Sequence, residues 1–218
     1  MIAYSFVSFA LGFVRFRSFS FVRFFFRVEF RSKFLLVRFT VGCSVQGKQM
    51  LLTLSPTNEA TSPCTLLISF GLTGHFETCS SSAQRPAGWR FAFLAAKSGL
   101  SLVFVDSMRM AKWVEQTHFD SDRGPDPVYD HAKFVDNVRR AVARGALRSA
   151  PVCEALLDQR LFNGIGNYLR AEIMFAAEIW PFDNVLDVLR SPDKGARLLD
   201  ACASVPRSSP SSRAGLLV

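Results

Sequence analysis

The sequence predicts an α+β protein, with an antiparallel β-sandwich in its first half and a helical domain in its second half. Two observations support this prediction. Short apolar runs separated by Gly-, Pro- and Ser-rich turns fill residues 45–113. Apolar residues then recur at spacings of three and four, beginning near Phe134, which is typical of helices. With 218 residues, the chain is long enough for two small domains.

Four runs are the predicted strands, because each is short, apolar and bounded by turn residues. They cover residues 50–54, 65–70, 90–94 and 100–105. Their spacing suits an antiparallel sandwich. We therefore predict a sandwich domain over residues 41–119, followed by a polar, Gly- and Pro-bearing linker over residues 120–127.

The helical domain is predicted over residues 128–206. Phe134, Val138 and Val142 recur on one face of its first helix. Further on, residues 154–172 combine an apolar-faced helix, a turn punctuated by two glycines and a second helix.

The turn within this segment predicts an anion site. Gly164 and Gly166 let the backbone come close to a partner without side-chain interference. Asn167 is predicted to cap the second helix. Because the start of a helix has free N–H groups and the positive end of the dipole, it favours an anion.

Residues 1–40 form an atypical segment in which Phe is interleaved with Arg and Ser. Partial alternation indicates β structure at most. The charge-free opening, residues 1–14, is shorter than the roughly 20 apolar residues that span a bilayer, and it lacks the basic start of a secretory signal. We interpret the segment as a non-native start of the chain. A basic, Phe-rich segment that lies on a membrane surface is the alternative.

The formal net charge is +8 and the pI is about 9.7, which usually indicates a nucleic-acid or membrane partner. Residues 1–40 hold seven basic residues and one acidic residue, so six of the eight net charges lie there. The rest of the chain carries only +2. Bulk charge therefore says little about the partner of the helical domain.

The cysteines argue against two classes of small domain. The five cysteines are scattered, odd in number and include no Cys-x-x-Cys pair. This pattern disfavours a disulfide framework and a four-cysteine zinc site. We predict a reducing, intracellular compartment and no metal site.

Residues 156–172, with Pro151-Val152-Cys153 before them and Ile179-Trp180-Pro181-Phe182 after them, resemble the helix-two-turn-helix signature of the formamidopyrimidine-DNA glycosylase/endonuclease VIII family. The resemblance begins near residue 45 and extends to about residue 206. It implies a truncated N-terminal β-sandwich followed by a helix-two-turn-helix domain that grips the DNA backbone. The tail, residues 207–218, lacks the β-hairpin that the family places there and is predicted to be disordered.

The implied function is that of a bifunctional DNA N-glycosylase and abasic-site lyase in base excision repair. Such a protein acts on double-stranded DNA with an oxidised base or an abasic site, in the nucleus, as a monomer and without a cofactor. The family nucleophile is the amine of an N-terminal proline followed by a glutamate, whereas this sequence begins Met1-Ile2-Ala3-Tyr4. The resemblance therefore implies impaired catalysis. A damaged-DNA-binding module without catalysis is the alternative.

Lys48 is the predicted catalytic residue. In the run Gln46-Gly47-Lys48 it matches a family lysine on a β-turn that contacts phosphate and assists proton transfer. As a second role, Lys48 could supply the Schiff-base amine, since an iminium acts as an electron sink. Most lysines on turns are merely solvated, which is the competing interpretation.

Two loops resemble those that fill the space left by an extruded base in the family. Residues 70–74 place Leu72 where the family has Met, and the alternative for Leu72 is a position in the sandwich core. Residues 106–110 keep Asp106 and Arg109 but have Met at two positions where the family has Arg and Phe. Leu72 and Arg109 are therefore predicted DNA contacts.

The remaining predicted contacts are to DNA phosphates. The resemblance implies that Asn167 donates to a phosphate beside the lesion, aided by backbone N–H groups near Gly164 and Gly166. A helix cap alone is the competing role for Asn167. Arg160 and Arg170 are further predicted phosphate contacts.

Overall fold

The computed structural model of the chain describes residues 26–30, 33–56, 62–80, 85–95 and 100–208. The chain divides into two compact units between Phe119 and Asp120. Strands make up the first unit and helices the second, which confirms the predicted α+β fold class. The tail predicted to be disordered lies outside the described residues, except for residues 207 and 208, which are helical.

The first unit contains one antiparallel sheet of eight strands in the order β5-β7-β6-β1-β2-β3-β4-β8. The four predicted strands correspond to β3, β4, β6 and β7. The prediction missed β5, which has few apolar residues, and β8, which has only four residues. The strands are β1 (Phe26–Phe30), β2 (Lys33–Gln46), β3 (Gln49–Pro56), β4 (Cys64–Ser69), β5 (His75–Ser80), β6 (Trp89–Ala95), β7 (Leu100–Val105) and β8 (Lys112–Glu115).

Distant strands of this sheet pack against each other, so the unit has the packing of a sandwich built from one continuous sheet. The rings of Phe91 on β6 and Trp113 on β8 have centroids 5.7 Å apart. Phe104 on β7 lies 6.1 Å from the same Trp113 ring. Because at least four strands separate β6 and β7 from β8 in the sheet order, these contacts require the sheet to fold over its own core.

The boundary predicted at residue 40 falls within a region of paired strands. Strand β2 crosses it, and β1 lies wholly inside the segment interpreted as atypical. Both strands occupy the middle of the sheet, where β1 pairs with β6 and β2, and β2 pairs with β3. Composition misled the prediction, because backbone pairing depends little on the unusual Phe and Arg content of these strands.

Residues 1–25 and 31–32 of the atypical segment lie outside the described residues. The membrane-surface alternative therefore stays a prediction. Within the part of the chain that the structure describes, no helix has the length and apolar character needed to cross a membrane.

The second unit contains five helices among its described residues. Buried side chains of Phe134, Val138, Phe162, Ile173 and Leu198 belong to one apolar core that these elements share. The predicted apolar face of the first helix is confirmed, since Phe134 and Val138 are buried. The helices are α1 (His131–Ala143), α2 (Val152–Ala155), α3 (Asn167–Ala176), α4 (Val185–Arg190) and α5 (Pro192–Ser208).

The stretch predicted as a linker, residues 120–127, belongs to the helical unit and forms hydrogen bonds within it. The N–H of Gly124 donates to Gln159 O at 3.0 Å, and Asn163 Nδ2 donates to Gly124 O at 2.8 Å. Asp126 is buried, and its Oδ1 accepts from the N–H groups of Val128 and Tyr129. A polar, Gly- and Pro-bearing composition suggested a free connection, whereas long-range hydrogen bonds make the stretch part of the unit.

Candidate nucleic-acid interface

The chain between α2 and α3 consists of tight turns, so the helix predicted over the first part of residues 154–172 is largely wrong. Helix α2 ends at Ala155. The Leu156 N–H still donates to Val152 O, four residues earlier, whereas the N–H groups of Leu157 and Asp158 donate to carbonyls only three residues earlier. The Asp158 carboxylate then accepts from the N–H of Arg160 at 3.1 Å. A short acidic side chain that bonds nearby backbone competes with helical hydrogen bonds, which explains why the helix stops here.

Of the two glycines in the turn, backbone geometry requires only Gly164. Its φ is +92°, a conformation that residues with a Cβ rarely adopt. Gly166 has φ −123° and ψ −172°, which is extended backbone open to other residues. The two glycines have the same role in the predicted turn, and their backbone geometry distinguishes them.

Asn167 is the first residue of α3, and the predicted cap by its side chain is wrong. The capping position belongs to Gly166, with no side-chain cap bond. The exposed Asn167 amide has no hydrogen-bond partner among the described residues. Arg170 donates its N–H to Gly166 O at 2.9 Å, whereas the N–H groups of residues 167–169 have no acceptor in the described part of the chain. These donors and the positive end of the helix dipole form a surface that favours an anion.

The two arginines predicted to contact phosphate already have partners within the unit. Arg160 forks onto Asp158, with Nε–Oδ1 at 2.9 Å and Nη2–Oδ2 at 2.7 Å. This hydrogen bonding lowers the pKa of Asp158 and raises that of Arg160. Arg170 donates from Nη1 to Cys153 O at 2.9 Å and so ties α3 to α2. Arg160 is exposed but paired with a carboxylate, and Arg170 has a structural contact.

In the first unit, strand register brings Lys48, Leu72 and Arg109 to the same end of the sheet. Lys48 is exposed on the two-residue β2–β3 turn, beside Gly47 with φ +54°. Gln49 pairs with Ser69 at the end of β4, and Ser69 pairs with Lys112 at the start of β8. The β2–β3 turn, the loop after β4 and the loop before β8 therefore share one end of the sheet.

The loops that carry Leu72 and Arg109 touch each other. A Cβ on Gly71 would lie 2.7 Å from the carbonyl carbon of Met110. Leu72 is 54% exposed, so it does not occupy the core position that was its alternative. Arg109 has φ +55°, unusual for a residue with a side chain, and Met108 beside it is 57% exposed.

Asp106, which is buried, joins these two loops. Its Oδ1 accepts from the Thr73 hydroxyl at 3.0 Å, and its Oδ2 accepts from Ala111 N–H at 2.8 Å. Burial raises the pKa of this carboxyl, but hydrogen bonds from Ala111, Thr73 and Met110 and the charge of Arg90 outweigh it, so the pKa lies below its ordinary value. The charged carboxylate is therefore the form that stabilises the loops.

Gln159 holds the glycine turn together, although the sequence pattern did not predict a role for it. Its side chain bonds the backbone on both sides of the glycine turn, at Leu157, Gly164 and Ile165. The available signal was a polar residue placed within an apolar helical pattern just before the glycines. The described residues contain no group of three or more His, Cys, Asp or Glu side chains placed to hold a metal ion.

Comparison with known proteins decides the family. No protein-family model matches the chain. Endonuclease 8-like 1 of Mus musculus is 38% identical over 155 residues, and that of Homo sapiens is 36% identical over 191 residues. The formamidopyrimidine-DNA glycosylase of Moorella thermoacetica is 31% identical over 160 residues. The chain belongs to the formamidopyrimidine-DNA glycosylase/endonuclease VIII family.

The alignments cover only part of these relatives. They include 69% of this chain and 40% of the mouse protein, 78% and 49% for the human protein, and 69% and 53% for the Moorella protein. The chain thus spans about half the length, or less, of the family members it matches.

Solved structures of the family share the fold. The MutM (Fpg) protein of Thermus thermophilus superposes with a TM-score of 0.57 at 25% identity, covering 77% of this chain and 59% of that one. Lactococcus lactis formamidopyrimidine-DNA glycosylase, non-covalently bound to DNA with an abasic site, gives a TM-score of 0.66 at 17% identity, covering 91% and 79%. At that low identity the second likeness shows the fold alone.

The two glycines of the turn generate a prediction. Gly164→Ala should lower the free energy of unfolding by about 1–3 kcal/mol, because a Cβ at this φ strains the backbone. Gly166→Ala is the matched control. It should lower the free energy of unfolding by less, since the backbone of Gly166 is extended. Urea denaturation followed by circular dichroism measures both. Equal losses for the two variants would contradict the distinction between the glycines.

Asp106 generates a pH prediction. The pKa of Asp106 is lowered in the folded protein. The stability that its carboxylate provides is therefore fully present above the unfolded pKa of about 3.9, and it is lost as the pH falls through the folded pKa. Asp106→Asn should therefore be less stable than the wild type from pH 5 to 7, and the difference should shrink below pH 4. Urea denaturation across this pH range measures it. A difference that does not change between pH 7 and pH 3 would refute the assignment.

Proposed function

We propose that the chain binds double-stranded DNA at an oxidised base or an abasic site. The observation that carries this proposal is the start of α3, where the exposed Asn167 amide and three backbone N–H groups lack acceptors in the described residues. A phosphate oxygen is an acceptor of matching charge and size for such donors. Contacts of this kind hold the DNA backbone without reading its sequence.

The loops at one end of the sheet support a second contact surface on the first unit. Leu72 and Met108 present exposed apolar side chains on loops that Asp106 ties together. An enzyme that extrudes a base must fill the space left in the stack, and apolar side chains suit that purpose. We assign Leu72 to this role and Arg109 to the adjacent backbone.

We further infer base-excision activity, as a DNA N-glycosylase and abasic-site lyase acting in the nucleus. The names of the relatives support this assignment, since they include endonuclease 8-like proteins and formamidopyrimidine-DNA glycosylases. Lys48 supplies an exposed amine on the turn at the end of the sheet where the loops lie. An amine that attacks the anomeric carbon of the sugar displaces the base and forms a Schiff base, which then allows elimination of the phosphate.

A binding module without catalysis is the second candidate. The observation that favours it is the location of the clearest anion surface at Asn167, which contributes no nucleophile. The two candidates differ in whether a covalent bond to DNA forms. Trapping of the Schiff base with borohydride therefore separates them.

The DNA-binding proposal predicts the effect of Asn167→Ala. The variant should bind a duplex containing an abasic-site analogue at least tenfold more weakly at 50 mM salt, and to a similar degree for any duplex sequence, because a phosphate contact is lost. Fluorescence anisotropy measures the dissociation constants.

Asn184→Ala is the control for this variant. Asn184 caps α4 by accepting from Leu186 N–H at 2.9 Å, so its loss should lower stability and leave DNA affinity unchanged. Wild-type affinity in Asn167→Ala would refute the proposed phosphate contact.

The catalytic proposal predicts trapping that depends on Lys48. The wild type should form a borohydride-trapped adduct slowly on a duplex with an abasic site, because lysine amines in water are mostly protonated near neutral pH. Lys48→Ala should abolish the adduct. Denaturing gel electrophoresis of labelled DNA measures the trapped fraction.

Lys133→Ala, on α1 of the other unit, is the control and should trap like the wild type. Wild-type protein that binds the duplex but gives no adduct would favour the non-catalytic module. An adduct that persists in Lys48→Ala would assign the amine to another residue.

A further inference from the structure

The half-buried Gln159 side chain forms hydrogen bonds to backbone groups before and within the glycine turn. Its Oε1 accepts from the N–H of Gly164 at 3.1 Å. Its Nε2 donates to Ile165 O at 2.9 Å and to Leu157 O at 3.1 Å. One carboxamide thus satisfies three backbone groups, one before the turn and two within it.

Both the backbone and the side chain of Gln159 accept hydrogen bonds from the stretch before α1. Gly124 donates its N–H to Gln159 O at 3.0 Å, and Arg123 Nη1 donates to Gln159 Oε1 at 3.3 Å. Asn163, which is fully buried, donates from Nδ2 to Gly124 O at 2.8 Å. A Cβ on Gly124 would lie 2.2 Å from Arg160 O, so only glycine permits this approach.

These hydrogen bonds determine which polar groups of the turn face outward. Gly164 N–H, Ile165 O and Leu157 O are used internally by Gln159. The N–H groups at the start of α3 are not, and no described residue accepts from them. A carboxamide suits this position because it donates and accepts at the same distance from the backbone, whereas a carboxylate offers no donor to the two carbonyls.

We propose that Gln159 is a positioning residue for phosphate binding: it sets the turn so that Asn167 and the first N–H groups of α3 meet one DNA phosphate together. This role rests on the proposed DNA binding. Gln159 acts through the backbone of residues 164–167 and does not touch the DNA itself.

Gln159→Met tests the proposal, because methionine keeps the approximate length and volume of the side chain and removes all of its strong hydrogen bonds. The probe is a labelled duplex with a tetrahydrofuran abasic-site analogue, titrated by fluorescence anisotropy between 50 and 200 mM salt. We expect at least tenfold weaker binding at 50 mM salt. The slope of log K against log salt should stay close to the wild-type value, because the donors that lose the phosphate are uncharged and release no counterion.

The Asn167→Ala background separates positioning from a merely structural role, because Gln159→Met should cause little further loss of affinity in a protein that already lacks the Asn167 contact. Loss of stability alone lowers the unfolding midpoint but leaves the folded protein with the same number of phosphate contacts. Gln116→Met is the matched control, since Gln116 also donates from its carboxamide to a backbone carbonyl, His118 O at 2.7 Å, in the other unit. It should keep the wild-type affinity and slope.

Each outcome has a distinct meaning. A wild type that does not bind the duplex refutes the proposed DNA binding and, with it, the positioning role of Gln159. Binding by the wild type with an unchanged affinity in Gln159→Met, or an equal loss of affinity from Gln159→Met with and without Asn167→Ala, overturns the positioning role alone.

If Gln159→Met fails to fold, amide hydrogen exchange measured on the wild type tests the positioning role. We expect protection of the Gly164 N–H, which the Gln159 carboxamide accepts, and further protection of the N–H groups of residues 167–169 when the duplex is bound. Gly164 exchange as fast as in an unstructured peptide would overturn the proposal, whether or not DNA is present.

Discussion

The hydrogen bonds of one carboxamide, that of Gln159, determine the shape of the glycine turn between α2 and α3. A turn that carries a left-handed glycine leaves several backbone groups without the hydrogen bonds of a helix or sheet. Each such group that is shielded from water costs about 1–3 kcal/mol when it stays unpaired. Gln159 pairs three of them. Because its own backbone is anchored to Gly124, the stretch before α1, the turn and the start of α3 form one hydrogen-bonded assembly. The outward donors at Asn167 are a consequence of that assembly.

In the sheet unit, a charged side chain also holds loops together by hydrogen bonds. Asp106 is buried at the junction of two loops and accepts hydrogen bonds from Thr73 and Ala111. The loops are thereby held while Leu72 and Met108 stay exposed. Exposure of apolar side chains to water is unfavourable, and exposed apolar residues on loops that are held in place are typical of a binding surface. In both units, then, a polar side chain, half-buried in Gln159 and buried in Asp106, organises a loop by hydrogen bonds to its backbone.

Family membership and this geometry support different levels of the functional conclusion. The relatives establish the family over the residues that align, and the chain spans about half of their length or less. The arrangement at Asn167 supports binding of a phosphate more directly than any arrangement supports chemistry. Arg160 illustrates why residue type alone is a weak guide to phosphate binding. Its guanidinium is exposed, but Nε and Nη2 already donate to the two carboxylate oxygens of Asp158. A phosphate would have to compete with that carboxylate.

The sequence by itself determined the α+β class, four of the strands, the apolar face of α1 and the place of the glycine turn, because periodicity and turn residues act over short distances. It could not determine that residues 33–40 continue a central strand, that residues 120–127 belong to the helical unit, or that Asn167 begins α3 without capping it. Those outcomes depend on partners far along the chain: β3 and β6 for the first strands, Gln159 and Asn163 for Gly124. Only the tertiary structure decides such pairings, since a hydrogen bond between distant residues leaves no periodic trace in either segment.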